Sequence, residues 1–264
     1  MEKFKANPYN PSNKLISKED IINIMRMLNI NDFTINNLSL YQTAFIHKSY
    51  CPMNDYEEFS NDNNDLPLQE ISYETMEFLG DSILSSSVSS YLYDRFYKIH
   101  NQNEGFLTKI RTRIVCGENL TKLSHKLGFN EFLVISKHIE ENCSGRNNQH
   151  ILEDVFEAFL GAIFLDNGNK IDFIKEIIIK IIEEFVDFTD IIINDTNYKD
   201  QILKYCQHNF KTQPIYNHIR KDDNNIFICD LKINEVTISG YGSTKKKAEQ
   251  DASKNTLKYF NVIT

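Results

Sequence analysis

The chain has no tryptophan, no C-x-x-C pair and no long apolar run. Its five cysteines (Cys51, Cys116, Cys143, Cys206 and Cys229) are odd in number and scattered. That spacing excludes a disulfide framework and points to ordinary thiols in an intracellular, reducing compartment, cytoplasm or nucleus. The most apolar segment, Ile177 to Ile182, is interrupted by Lys180 and flanked by Glu176, Glu183 and Glu184. It falls far short of the roughly 20 residues that a membrane span requires. No apolar stretch follows a basic N-terminal start, so no signal peptide is expected. What remains is the composition of a soluble globular protein, 41% apolar and 25% charged. At 264 residues it has the natural length for two domains.

A net charge of −8 argues at first against a nucleic-acid partner, but the charge is unevenly placed. Residues 196–264 hold 11 Lys and Arg against 7 Asp and Glu, a net of +4, which leaves −12 in residues 1–195. An acidic half joined to a basic half leaves the basic part able to meet a polyanionic partner that the net charge would seem to exclude.

The stretch Tyr73-Glu74-Thr75-Met76-Glu77-Phe78-Leu79-Gly80-Asp81 reads as a helix that continues toward Tyr93. At about 100° per residue, Glu74, Glu77 and Asp81 fall within a ~60° arc of one face. Like charges at that spacing cost a few tenths of a kcal/mol per pair, roughly, and Gly80 costs ~1 kcal/mol relative to Ala. A helix that accepts both is expected to hold a cation and to admit a close neighbour. A second stretch, Ile151 to Ala162, places Asp154 and Glu157 on one face, with Gly161 one turn beyond. If the two helices cross at their glycines, Glu77, Asp81, Asp154 and Glu157 form an all-oxygen site. Hard oxygen ligands without Cys or His suit Mg²⁺, with Mn²⁺ as a substitute. The plainer alternative, that these acids are two solvated helix faces, is weakened by the matched pair.

Glu74 to Asp81 resembles the signature helix of the ribonuclease III family, and Glu153 to Gly168 resembles its second acidic helix. Glu104-Gly105-Phe106-Leu107-Thr108, Gly145-Arg146-Asn147 and the segment Leu40 to Tyr50, with its His-x-Ser-Tyr ending, fit as well. The resemblance spans roughly residues 38–260. It implies an all-helical nuclease domain in which Glu77, Asp81, Asp154 and Glu157 are catalytic and hold the metal. It further makes Glu74 and Glu104 accessory acids, Arg146 an RNA contact, and Phe78 an aromatic plug in a homodimer. His47 reads as a structural hydrogen-bonder.

Along the chain, residues 1–16 read as a loose arm and 17–188 as the nuclease domain, opening with a helix capped by Ser17. Residues 51–72 form a polar, acidic insertion expected to be a mobile loop. Residues 189–197 read as a linker. From Tyr198 to Thr264 the order helix, three strands, helix resembles a double-stranded RNA-binding domain, and Gly240 to Gln250 matches its C-terminal signature. Lys245, Lys246 and Lys247 at a helix N-terminus suit the phosphate backbone. Two departures stand out: Lys204 replaces a usual acid on the first helix, and the loop 221–225 lacks the usual Gly-Pro-x-His.

The fold expected is thus mostly α, a helical ribonuclease III domain followed by an α-β-β-β-α RNA-binding domain. The function expected is a double-strand-specific endoribonuclease, acting with two Mg²⁺ ions and leaving 5′ phosphates and short 3′ overhangs. The rival is a non-catalytic protein that sequesters duplex RNA or scaffolds a ribonucleoprotein. A third reading is a subunit active only beside a different nuclease. Loss of any of the four carboxylates would favour the rival, and all four are present.

Overall fold

The structure is a computed structural model, and it describes residues 7–56, 59–61, 63–193, 197–221 and 226–263. It divides into two compact units, Met1–Phe188 and Thr189–Thr264. The first is helical. Helix α1 (Lys18–Met27) begins at a reciprocal cap: Ser17 Oγ accepts from the Asp20 N–H, and the Asp20 carboxylate accepts from the Ser17 N–H. Ile21, Ile24 and Met25 give it a buried face.

Helix α2 (Leu38–Thr43) is short and begins at a cap, the Asn37 side chain accepting from the Ser39 N–H. The chain turns extended at His47 because residues 45–47 pair with Val134 in a short parallel bridge. Helix α3 (Glu74–Leu92) follows, runs through a wider turn at Tyr93–Tyr97, and ends in α4 (Lys98–His100), with Asn101 in the left-handed region. Helices α5 (Glu104–Ile114) and α6 (Gly117–Lys126) come next. The polar stretch after them is partly helical, as α7 (Lys137–Asn142), because Ser136 caps it. Helix α8 (Gln149–Asp166) is the axis of the unit, with 12 of its 18 residues buried, and α9 (Ile171–Phe185) lays an isoleucine face against the core. Tyr41, Phe45 and Phe129 form an aromatic cluster on Phe159 of α8.

Two expectations for the unit's outer segments differ from what is found. Residues 7–16 are not a loose arm: Ile16 is fully buried, and the Asn10 and Asn13 side-chain amides both donate to the Ile135 carbonyl. Residues 1–6 lie outside the described ones. The insertion at 51–72 is docked rather than free, among its described residues. Tyr50 donates to the Leu66 carbonyl (2.6 Å) and Tyr56 to the Ser49 carbonyl (3.0 Å), while Leu66 and Leu68 pack on Ile46, Tyr50 and Val134. Scattered leucines among acids carry no periodicity, so only the tertiary contact reveals the packing. Where a linker is expected, α10 (Phe188–Ile193) is helical, and residues 194–196 lie outside the described ones.

The second unit follows the expected order. Helix α11 (Tyr198–Asn209) precedes an antiparallel sheet of β1 (Ile215–Lys221), β2 (Ile226–Ile233) and β3 (Val236–Gly242), in that spatial order, and α12 (Lys245–Tyr259) closes it. Strand β1 is longer than its apolar residues indicate, because backbone pairing with β2 carries Asn217 and His218 into the ladder. The core is Ile202, Cys206, Cys229, Leu231, Ile233, Ala248, Ala252 and Leu257.

In each unit, glycines set how closely elements approach. A Cβ on Gly80 would lie 1.8 Å from the Glu157 carbonyl oxygen, and one on Gly161 would lie 2.5 Å from that of Met76. Each glycine therefore meets the backbone four residues before the other. Gly240 does the same for α12, where a Cβ would fall 1.9 Å from the Ala252 nitrogen. Gly161→Ala should destabilise the first unit by about 2 kcal/mol or more, since the backbone clash outweighs the helix-propensity gain of ~1 kcal/mol. Chemical denaturation of the two proteins checks this, and equal midpoints would show that the crossing tolerates a methyl group.

Candidate active site

The crossing of α3 and α8 determines where the acids stand. Because Gly80 lies on the backbone of Glu157, Glu77 and Asp81 of α3 come close to Asp154 and Glu157 of α8. Glu157 is 9% exposed, Glu77, Glu153 and Asp154 are half-buried, and Glu74 and Asp81 are exposed. Their electrostatic coupling shows which groups meet. Burial, and then Asp81, Glu153, Glu77 and Asp154 in turn, push the Glu157 carboxyl up to about 8. Burial first, then Asp154, Glu74 and Glu153, raise the Glu77 carboxyl. Asp154 is also raised by burial, against the opposing pull of a hydrogen bond from Tyr73 (3.0 Å) and the charges of His150 and Lys48.

Glu157 thus feels each of the other members of the predicted quartet, Glu77, Asp81 and Asp154, and Glu74 stands at the edge, ion-paired with Lys48 (3.0 Å). As they stand, the side chains do not close on one point: among the described residues no group of three His, Cys, Asp or Glu encloses an ion. The donor set nevertheless fits a hard divalent cation. It is all oxygen, it is partly withdrawn from water, and its charges repel one another until a cation offsets them.

Glu104 is not part of this cluster within the chain. It heads α5, takes the Thr108 hydroxyl (2.8 Å), and lies on a cavity of about 380 Å³ against the C-terminal part of α3, with Leu92, Tyr93, Tyr97, Leu107 and Arg111. Arg146, expected to reach RNA, is turned inward. Its guanidinium donates to the carbonyls of Leu133 (2.7 Å) and Ser12 (3.1 Å) and pairs with Glu140 (3.1 Å), with a side chain only 17% exposed. It fastens the N-terminal segment, whose docking the sequence pattern does not show. Phe78 projects from α3 at 79% exposure.

His47 is structural, as expected: Nδ1 accepts from the Ser49 N–H (3.1 Å), and burial lowers the ring's pKa to about 4. Two residues escaped the sequence reading. Glu153 joins the cluster from α8, its carboxylate seated where a side chain at Gly117 would otherwise lie. The signal was its i,i+4 spacing to Glu157. Tyr73 is the other, and nothing in the periodicity marks it.

In the second unit, Lys245, Lys246 and Lys247 are all exposed on the first turn of α12, where Thr244 Oγ1 accepts from the Lys247 N–H (3.2 Å). The ammonium groups add to the positive end of the helix, the arrangement suited to phosphate. Lys204 is held by Asp200 (2.6 Å), one turn before it on α11. The loop at 222–225 lies outside the described residues.

Against known families, residues 37–182 match the model described as ribonuclease-III-like, and residues 198–260 match the double-stranded RNA binding motif. The chain belongs to the ribonuclease III family. It is 34% identical over 235 residues to a ribonuclease 3 of Staphylococcus aureus, covering 88% of this chain and 89% of that one. It is 33% identical to a probable ribonuclease 3 of Acanthamoeba polyphaga mimivirus, over 99% of this chain and 48% of that longer protein. Among solved structures it is similar to the nuclease domain of ribonuclease III from Campylobacter jejuni, with 26% identity and a TM-score of 0.48, covering 65% of this chain and 98% of that one. As a ribonuclease III-like endonuclease with a double-stranded RNA-binding domain, the chain has the parts of a double-stranded RNA endoribonuclease.

Two predictions follow from this geometry. Unfolded, Glu157 ionises near 4.5; folded, it keeps its proton to about 8. The native state therefore binds more protons across that window, and its stability is fully present below about 4.5 and falls as pH rises toward 8. The metal-free protein should melt at progressively lower temperature over that range. Glu157→Gln should remove the largest share of the slope, and an unchanged slope would refute the crowding. Replacing Lys245, Lys246 and Lys247 together by Ala should weaken binding to every duplex sequence alike and flatten the log–log salt dependence by up to ~2. Filter binding over a salt series reads both, and an unchanged slope would mean a merely solvated face.

Proposed function

We propose that this protein cuts both strands of duplex RNA by two-metal-ion phosphodiester hydrolysis, as a homodimer, leaving 5′ phosphates and short 3′ overhangs. The observation that carries this reading is the charge crowding at the α3–α8 crossing, where Glu157 shares a half-buried space with Glu77, Asp81 and Asp154. Such a cluster is unfavourable by itself and becomes favourable around cations. When bound there, Mg²⁺ or Mn²⁺ would supply an activated water and offset charge on the leaving 3′ oxygen.

The chain's own residues have the remaining tasks. Glu77, Asp81, Asp154 and Glu157 supply the oxygens, and Glu153 adds negative charge behind them. The glycine crossing fixes the separation of the two acid-bearing helices. The lysines of α12 hold the phosphate backbone, and recognition of the A-form duplex rests on shape and 2′-hydroxyl contacts rather than base edges. The five cysteines are all free thiols, in keeping with a reducing intracellular compartment.

Cutting both strands calls for two centres. Phe78, at 79% exposure, is costly to leave in water, and the apolar cavity beside Leu92, Tyr93 and Leu107 is of a size to take an aromatic ring from a second copy. Glu104 on that cavity would then lie at the interface, as an accessory acid.

A cleavage assay on a long perfect duplex tests the reading. Wild-type protein should cut with Mg²⁺ and not without it. A mixed dimer of wild-type and Asp154→Asn chains, differently tagged and purified through both tags, should nick one strand and leave the other whole. Double-strand cleavage by that species, or complete inactivity, would defeat the assignment of one centre to each strand.

A further inference from the structure

Tyr73 precedes α3, and its side chain reaches across to α8. The residue is 2% exposed, with its ring centroid 5.8 Å from that of His47. Its backbone N–H donates to the Ile46 carbonyl (2.9 Å), and its own carbonyl accepts from the N–H groups of Met76 and Glu77 (both 2.9 Å). The neighbouring turn is fixed in its turn: Ser49 Oγ accepts from the Ser136 N–H (3.0 Å) while His47 Nδ1 accepts from that of Ser49 (3.1 Å). The phenol is therefore held at its base by the first turn of α3 and along its ring by the 46–49 segment. Its one polar side-chain atom donates to Asp154 Oδ2 at 3.0 Å.

A carboxylate turns easily about its last bond, and an outer partner that takes one oxygen decides where the other points. We propose that Tyr73 is the positioning residue for Asp154, its hydroxyl anchoring Oδ2 so that Oδ1 faces the space shared with Glu77, Asp81 and Glu157. The proposal rests on the reading of Asp154 as a metal ligand. A phenol ionises only at about pH 10 and so keeps its proton at neutral pH, which makes the Tyr73 hydroxyl a standing donor to Asp154. The plainer view is that the hydroxyl is a buried polar group that has found a partner. On that view its removal changes stability and nothing else.

Tyr73→Phe separates the two, because it keeps the ring against His47 and deletes only the donor. Metal-free wild-type, Tyr73→Phe and Asp154→Asn proteins are titrated with MnCl₂ by calorimetry and melted without metal. Cleavage of a perfect duplex is then followed over a range of Mg²⁺. We expect Tyr73→Phe to weaken Mn²⁺ binding about 10-fold, in line with losses of outer-shell partners. Its melting temperature and its KM for duplex should stay those of the wild type. Its kcat should fall at limiting Mg²⁺ and recover when Mg²⁺ is raised. Weakened Mn²⁺ binding in Asp154→Asn with none in Tyr73→Phe would overturn the positioning role alone. A Tyr73→Phe protein that melts lower and is not rescued by Mg²⁺ would overturn it in favour of a structural role. Unchanged Mn²⁺ affinity in Asp154→Asn would remove the ligand reading itself, and the proposal with it.

Discussion

The contact on which the first unit depends is backbone against backbone, where α3 and α8 cross. Gly80 rests on the Glu157 carbonyl and Gly161 on that of Met76, each four residues from the other helix's glycine. A helix that gives up a side chain at mid-length loses ~1 kcal/mol of propensity relative to Ala. The return is an approach that no side chain would permit, and it lets short carboxylates on two helices act on one another. The core is arranged to keep that crossing rigid: most of α8 is buried, and Tyr41, Phe45 and Phe129 pack on its Phe159.

That rigidity is set against charge. Burial raises Glu77, Asp154 and Glu157 together, so folding gathers acids that would separate if they were free. Such strain is expected where a site is shaped for a ligand rather than for stability. The surrounding donors are correspondingly few: Lys48 is spent on Glu74 at the edge, and Tyr73 serves Asp154. The second unit has the opposite balance. Its glycines bring α12 onto β3, and its first helical turn presents three exposed lysines. The same device, a glycine at a backbone contact, thus builds an acidic site in one unit and seats a basic helix in the other.

The N-terminal segment and the 51–72 insertion show where periodicity ceases to inform. Asn10, Asn13 and Arg146 fasten residues that look unstructured, through hydrogen bonds to carbonyls more than a hundred positions away. Tyr50 and Tyr56 do the same for the insertion at shorter range. A polar side chain bound to distant backbone leaves no repeat in a sequence, whereas an apolar helix face does.

By itself the sequence determined the long helices, the change of period at Tyr198, the glycine-and-acid pairing of the two central helices and the lysine run. These are local: spacing on one element decides them, through 3.6-residue and 2-residue periodicities and through caps such as Ser17. Only the tertiary structure decided that Glu153 joins the quartet, that Glu104 stands apart on a cavity, that Arg146 faces inward and that Tyr73 reaches Asp154. Each of those depends on where two separate elements bring a side chain in space. Spacing along one element carries no information about that, because direction across a helix crossing is set by the packing of both.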